Sequence, residues 1–473
     1  MSFYFYDFET WGADPKRDRP AQFAGIRTDE DLTILDKPDV WYCQLAPDYL
    51  PHPQAALITG LTPQLCQQRG LPETEFIGKI LQRFSEPGSC VLGYNSIRFD
   101  DEVTRHSLYR NFYEPYGREW QQGNSRWDLL DVVRACYALR PEGIEWPLKD
   151  DGTPSFKLED LAKANQLAHE QAHDALSDVY ATIALAKLVR DKQPRLFQFL
   201  FEHRKKQALG KYINLANQTP LVHVSGKFPA SQGCVSWVVP LAFHPTNKNA
   251  LIVWNLQADP SPLLELDCDQ LRDKLYTKTA DLAEGEERLG LKLIHLNKCP
   301  VLAPAKTLSE QRADALGIDR SKCRAHLNWL LANPQVQQKA EQVFAQAEAF
   351  PQETNPDYQL YQGFLADADK QKMMALHQLS PQQLEVQAPV FSDERLNQLL
   401  FRYRARNYPA SLNEQEMLQW QQYCVDRLTD GLDAPPLTLE AFHQQLEQAA
   451  QQHQHDERAM RILKALYHYA EQL

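Results

Sequence analysis

The chain has 473 residues, 43% hydrophobic and 24% charged, too long for one ordinary core and too apolar for disorder, so two or three globular domains are expected. No run approaches the roughly 18 apolar residues of a membrane span, and the N-terminus lacks a basic region and a small-residue cleavage site, which predicts a cytoplasmic chain with no membrane partner; a monomer is expected. Nine scattered cysteines without a C-x-x-C pair exclude a disulfide framework or zinc site, and the net charge of −12 argues at first sight against nucleic acid.

In chain order, "FYFYDFET" (Phe3–Thr10) reads as a strand, and residues two apart share a face, so Asp7 and Glu9 point the same way. Acid-x-acid pairs arise by chance about eight times in such a chain. Asp29/Asp31 and Glu73/Glu75 are read as such accidents, and the first pair needs partners further on. "DVWYCQLA" and "CVLGYN" are strand-like, while "ETEFIGKILQRF", "RWDLLDVVRACYAL" and "HDALSDVYATIALAKLV" carry helical periodicity. That alternation predicts an α/β domain over residues 1–194, ended by the proline break "DKQPRLF".

Residues 195–349 open with a basic amphipathic helix, "RLFQFLFEHRKKQALGKYI". Short strands follow ("PLVHVSG", "VSWVVPLAFH", "ALIVWNL", "LKLIHLNKCPVL"), predicting a small β-barrel with interspersed helices. From Lys192 to Ala250 the only acid is Glu202, so the net charge hides a basic segment. After "FPQETNPDY", residues 350–473 read as helical, with capping boxes at Ser380–Gln383 and Asn413–Glu416 and a long Gln-rich helix as the tail.

The partners for Asp7 and Glu9 lie at "GYNSIRFDDE", where Asp100 opens a helix, and at "AHDALSDVYATIALAKL", where His173 precedes Asp178 by five positions. Oxygen ligands without cysteine suit Mg²⁺ or Mn²⁺. Two such ions about 4 Å apart can hold the attacking and leaving oxygens of a phosphodiester displacement. A neutral histidine can take the proton of the attacking water.

"DFE", "YNSIRFD" and "HDALSD" resemble the three motifs of the DEDDh family of 3′→5′ exonucleases. The resemblance makes Asp7, Glu9 and Asp178 metal ligands, Asp100 the second-motif acid and His173 the general base. His169 and Asp174 share the H-x4-D spacing. The pair His173/Asp178 is preferred because "HDALSDVYAT" continues into the family's small-residue helix.

"DRPAQFAGIRTD", "SFKLEDLAKAN", "SPLLELD", "NKCPVLAPA" and "LLFRYRARN" carry the similarity across nearly the whole chain, to the bacterial exodeoxyribonuclease I branch. That branch implies a ribonuclease H-like exonuclease domain with a mixed sheet, an SH3-like barrel and an all-α C-terminal domain. It further implies processive 3′→5′ hydrolysis of single-stranded DNA to 5′-mononucleotides, with two Mg²⁺ ions that Mn²⁺ can replace, in repair and recombination. Glu9, Phe156 and Lys157 become substrate residues, Lys157 standing where an arginine is expected and lacking its bidentate fork. The acidic C-terminal tail of the single-stranded-DNA-binding protein becomes a protein partner, with Arg140 in the docking surface.

A strand-binding channel is also read from the residues. Between Tyr94 and Arg140 seven arginines alternate with aromatic rings, the cations suiting phosphates and the rings suiting bases. Arg105, Tyr116, Trp120, Arg134 and Lys206 are the expected DNA contacts. "FRYRARNYP", with Arg402, Arg404 and Arg406, reads as a solvated or interdomain face at least as readily as a DNA contact. Two other functions fit the motifs: an RNA exonuclease of the same superfamily, against which the extra length counts, and a catalytically silent scaffold, against which all five catalytic positions count.

Overall fold

The computed structural model describes residues 1–167, 174–278, 281–282, 287–345 and 352–473. Two compact units emerge: Met1–Ser125 with Glu170–Tyr180 and Pro351–Leu473, and Arg126–His169 with Ala181–Phe350. No described helix is long and apolar enough to cross a membrane. All nine cysteines are free, seven of them buried.

In the first unit β1 (Ser2–Thr10) runs antiparallel to β2 (Pro20–Thr28) and parallel to β4 (Ser89–Gly93), and β3 (Asp39–Tyr42) continues the order β3-β2-β1-β4. The sheet is therefore mixed. One face of β1 presents Tyr4, Tyr6 and Phe8, which pack with Phe23, Phe76 and Phe84. Large rings fit the pleated surface and fill volume that small side chains would leave void. Helix α1 (Glu73–Phe84) lays Phe76, Ile77, Ile80 and Phe84 on this cluster as one helical stripe. Helix α2 (Asp100–Arg110) opens on three acids, Asp100, Asp101 and Glu102, which complement its positive N-terminal dipole. Helix α3 (Ala175–Lys192) returns the chain to the sheet.

The C-terminal helices share cores with this sheet region. Trp11, Tyr49 and Leu50 lie in one cluster with Leu428, Phe442, Leu446 and Leu466, and Tyr109 and Phe112 in another with Leu399 and Tyr403. Of the two readings of "FRYRARNYP", a solvated or an interdomain face, the solvated one is corrected, since the stretch packs against residues of the exonuclease region. It lies on α4 (Glu394–Asn407), where Arg402 and Arg404 are buried, the Arg406 side chain is 5% exposed, and all three are paired. Arg406 donates to Asp357 and Asp48, both at 2.6 Å, Arg402 to Asp357 at 3.0 Å and Arg404 to Glu416 at 2.7 Å. Glu73, whose spacing from Glu75 is read as chance, accepts from the buried Arg110 at 2.6 Å and so has a structural part. A cation in a shared core needs a hydrogen-bonded counter-ion.

Both capping boxes form, at Ser380 and Asn413. The tail is two helices, Leu439–Gln452, closed by His453, and Glu457–Ala470, whose first turn Asp456 caps.

The chain passes through β5 (Ser125–Asp128) into the second unit, where β6 (Leu221–Val224), β7 (Val235–Phe243), β8 (Ala250–Asn255), β9 (Leu291–His295) and β10 (Val301–Pro304) form an antiparallel sheet ordered β10-β6-β7-β8-β9. Leu221, Val238, Leu251, Val253 and Ile294 fill its core. The expected basic helix is broken into Pro194–Glu202 and Lys206–Gly210. The break falls where His203 Nδ1 meets the Phe199 carbonyl at 2.6 Å and Arg204 donates to the Phe201 carbonyl at 2.5 Å, so side chains take the last helical acceptors.

Candidate active site

Asp7 and Glu9 stand on the face of β1 opposite Tyr4, Tyr6 and Phe8. Their partners across β2 are Ala24 and Gln22, which add no charge, and the pairing slips between Glu9 and Thr10, ending the regular ladder at the acids. Asp178 reaches the same place from the first turn of α3. One carboxylate oxygen each from Asp7, Glu9 and Asp178 lie within 4.8 Å of one another. Asp100, at the start of α2, accepts from the Phe8 backbone N–H at 3.1 Å and is 4% exposed, so the second-motif acid is fixed to the strand between Asp7 and Glu9.

Crowding shows in the protonation of the acids. Burial pushes the Asp7 carboxyl well above its ordinary range, and the charges of Asp100, Glu9 and Asp178 push it further. Burial, then Asp178 and Asp174, push Glu9 up to about 8. Carboxylates so placed repel unless a cation lies among them. The donor set, all hard oxygen, fits a divalent cation of the Mg²⁺ or Mn²⁺ type.

Asp174 plays another part. One oxygen accepts from the Ser177 N–H at 3.3 Å, capping α3, and the other accepts from Gln22 Nε2 at 3.1 Å. Asp178 N–H donates to the Asp174 carbonyl at 3.1 Å, so the two acids sit one turn apart, and Asp178 is the one in the triad. Both His169 and His173 lie outside the described residues. Sequence reasoning missed Gln22, whose role follows from its register opposite Glu9 and from no local motif.

Three family models match the chain: an exonuclease model over residues 4–186, the exonuclease I SH3-like domain over 204–346 and the exonuclease I C-terminal domain over 354–473. Exodeoxyribonuclease I of Escherichia coli K12 is 51% identical over 472 residues, covering 100% of this chain and 98% of its own. The chain belongs to the exodeoxyribonuclease I family. The Haemophilus influenzae enzyme is 48% identical over 470 residues, with 99% of this chain and 98% of its own covered. Among solved structures, E. coli exonuclease I in complex with a dA16 oligonucleotide superposes with a TM-score of 0.96 at 51% identity, covering 100% and 99% of the two chains. A zinc-bound form of the E. coli enzyme with single-stranded DNA gives 0.95 at 49%, and a structure described as SSB/exonuclease I with an inhibitor gives 0.92 at 48%, each covering 100% of this chain and 99% of the other. The architecture is that of the exonuclease I family: a mixed-sheet exonuclease domain, an SH3-like domain and a helical C-terminal domain.

The remaining candidates occupy varied settings in this family fold. Arg105 is 6% exposed, with its guanidinium on Glu119 at 2.7 Å and Glu102 at 2.9 Å and lying 5.5 Å over the Tyr116 ring. Trp120, by contrast, is 66% exposed. In the second unit Arg134 pairs with Asp131 at 2.8 Å, and Lys206 donates to the Lys248 carbonyl at 2.6 Å and to Asn249 at 2.8 Å. Phe156 stands edge-on to Tyr137 at 5.5 Å, and the exposed Lys157 precedes a helix with its ammonium 3.5 Å from Glu159. Arg140 is exposed and donates to the Thr307 carbonyl at 3.2 Å.

Proposed function

We propose that the chain hydrolyses single-stranded DNA processively from its 3′ end, releasing 5′-mononucleotides, as a cytoplasmic monomer serving repair and recombination. The observation that carries this is the carboxylate triad of Asp7, Glu9 and Asp178, closed by Asp100. Family membership and the oligonucleotides in relatives' structures support the substrate. The domain limits taken are 1–194, 195–349 and 350–473.

Asp7, Glu9 and Asp178 would hold two Mg²⁺ ions, with Mn²⁺ able to replace them; when bound, such ions stabilise charge on the attacking and leaving oxygens of the phosphodiester. Asp100 keeps its orientation through the Phe8 N–H. The His173 imidazole takes the proton of the attacking water. Glu9 also meets the terminal nucleotide, with Phe156 and Lys157 on the substrate side. Arg105, Tyr116, Trp120, Arg134 and Lys206 line the path of the strand, Arg105 through the stack it forms with Tyr116. Arg140 contributes to a surface for the acidic tail of the single-stranded-DNA-binding protein, a reading supported by the relative's structure described with SSB.

Digestion of 3′- and 5′-labelled single strands with Mg²⁺, beside matched RNA, tests polarity, metal dependence and substrate together. Loss from the labelled 3′ end on DNA is expected, and equal or faster loss of RNA would transfer the assignment to an RNA exonuclease. His173→Ala is expected to abolish single-turnover cleavage and His169→Ala to retain it; the reverse would exchange their roles. Trp120→Ala is expected to weaken single-strand binding by about 1–3 kcal/mol, the worth of one stacked base, read by anisotropy of a labelled oligonucleotide in EDTA.

A further inference from the structure

Asp100 and Asp101 are successive residues at the start of α2, and successive side chains on a helix point about 100° apart. Asp100 turns to the Phe8 N–H at 3.1 Å. Asp101, 2% exposed, turns instead to the end of the Tyr6 side chain, its Oδ1 accepting from the Tyr6 hydroxyl at 3.0 Å and from Arg118 at 2.7 Å. The Arg118 side chain is fully buried and its guanidinium lies 4.9 Å over the Phe84 ring, against which Tyr6 stands edge-on at 4.8 Å. The helix is thus tied to β1 on both sides of Asp7, through residue 6 by a side chain and through residue 8 by the backbone. These bonds add to the packing of Val103 and Leu108 on the aromatic cluster of β1 and hold the first turn of α2 against residues 6 and 8. Arg118 also begins the segment that ends at the exposed Trp120, so the same carboxylate anchors that loop.

We propose that Asp101, gripped by Tyr6 and Arg118, is a positioning residue that sets the spacing of Asp7 and Asp100 and thereby the affinity of the carboxylate centre for divalent cations. The inference rests on the metal-dependent reading above. Partners that orient metal ligands typically change affinity about 10–100-fold when removed.

The test is Mn²⁺ binding to the full chain, read as loss of the free-ion electron paramagnetic resonance signal, together with cleavage of a 3′-labelled oligonucleotide. Tyr6→Phe keeps the ring and the Asp101–Arg118 pair but removes one of the two ties. It is expected to weaken Mn²⁺ binding about tenfold and to raise the Mg²⁺ needed for half-maximal cleavage by a similar factor, with the oligonucleotide KM unchanged. Asp101→Asn, whose carbonyl can accept the same two bonds, is expected to bind Mn²⁺ more tightly than Asp101→Ala. Should Asp101→Ala fail to fold, Tyr6→Phe and Asp101→Asn still decide. A Tyr6→Phe protein that melts lower yet binds Mn²⁺ like the wild type would overturn the inference, since a merely structural tie moves stability alone. A wild type that binds Mn²⁺ without cleaving DNA would instead overturn the functional reading and leave the positioning measurable.

Discussion

Asp178→Ala is expected to reduce metal-dependent cleavage by about a thousandfold or more, some 4 kcal/mol of barrier, while making the metal-free protein more stable. Both effects follow from the same three oxygens lying within 4.8 Å. Cation binding needs them charged, and folding without a cation is opposed by that charge. Glu9 has its folded-state carboxyl pushed up to about 8, first by burial and then by Asp178 and Asp174. An acid whose pKa rises on folding binds its proton more tightly in the native state, so its effect on stability turns unfavourable as pH climbs past its ordinary value and levels off above the raised one. In EDTA the melting temperature is therefore expected to fall between about pH 4.5 and 8, Asp7 adding to the slope in the same direction. Saturating Mg²⁺ should remove much of that fall, because the cation displaces the same protons, and its apparent affinity should rise with pH across the window. Asp178→Ala should flatten the metal-free curve. A melting temperature in EDTA that is level across this range would count against the crowded-acid description.

Asp357→Ala carries the second large effect, on stability alone: about 3–5 kcal/mol is expected to be lost, as when one partner of a buried ion pair is removed. Asp357 is fully buried and accepts from Arg406 at 2.6 Å and Arg402 at 3.0 Å, with Arg19 at 3.8 Å. Burial by itself would raise its carboxyl, but Arg406 and Arg402 outweigh it and hold the group well below the usual range. For an acid whose pKa falls on folding, the stabilisation is present above its ordinary value, near 4, and is lost as pH drops towards the folded one. Acid unfolding of the wild type is thus expected well below pH 4, and Asp357→Ala should lose that dependence along with its stability. Urea denaturation of the two proteins at pH 7 and at about pH 2.5, below the ordinary carboxylate value, measures both. A difference under about 1 kcal/mol would mean that Arg402 and Arg406 reach water or another acid when Asp357 is gone.

The first of these effects was legible in the chain and the second was not, and the reason is the range over which each pattern acts. The acids of "DFE" share a face because a strand has period two, and aromatic neighbours mark that strand as buried, so local chemistry placed Asp7 and Glu9 together. Helix starts were also local: Ser380 and Asn413 cap their helices through residues three positions away. The spacing of Arg402, Arg404 and Arg406 does not tell a solvated basic stretch from an interdomain one. They are buried because α4 packs into clusters with residues some three hundred positions earlier, and no local spacing encodes that meeting. Glu73 and Gln22 are of the same kind, acquiring Arg110 and Asp174 as partners only once the sheet and its helices are assembled.

What the sequence alone determined was therefore the chemistry: four carboxylates in three motifs, an oxygen donor set, and the order of sheet, barrel and helices, all carried by periodicity and spacing over a few residues. Of the two equally spaced acids, the family resemblance already preferred Asp178, and the tertiary structure supplied the physical ground for that preference. Asp174 spends its oxygens on the cap of α3 and on Gln22, while Asp178, one turn further on, faces Asp7 and Glu9. The physical reason is that Asp174 stands just before Ala175, the first residue of α3, where its carboxylate folds back to the Ser177 N–H, while Asp178 lies inside the first turn and leaves its carboxylate to the strand beside it.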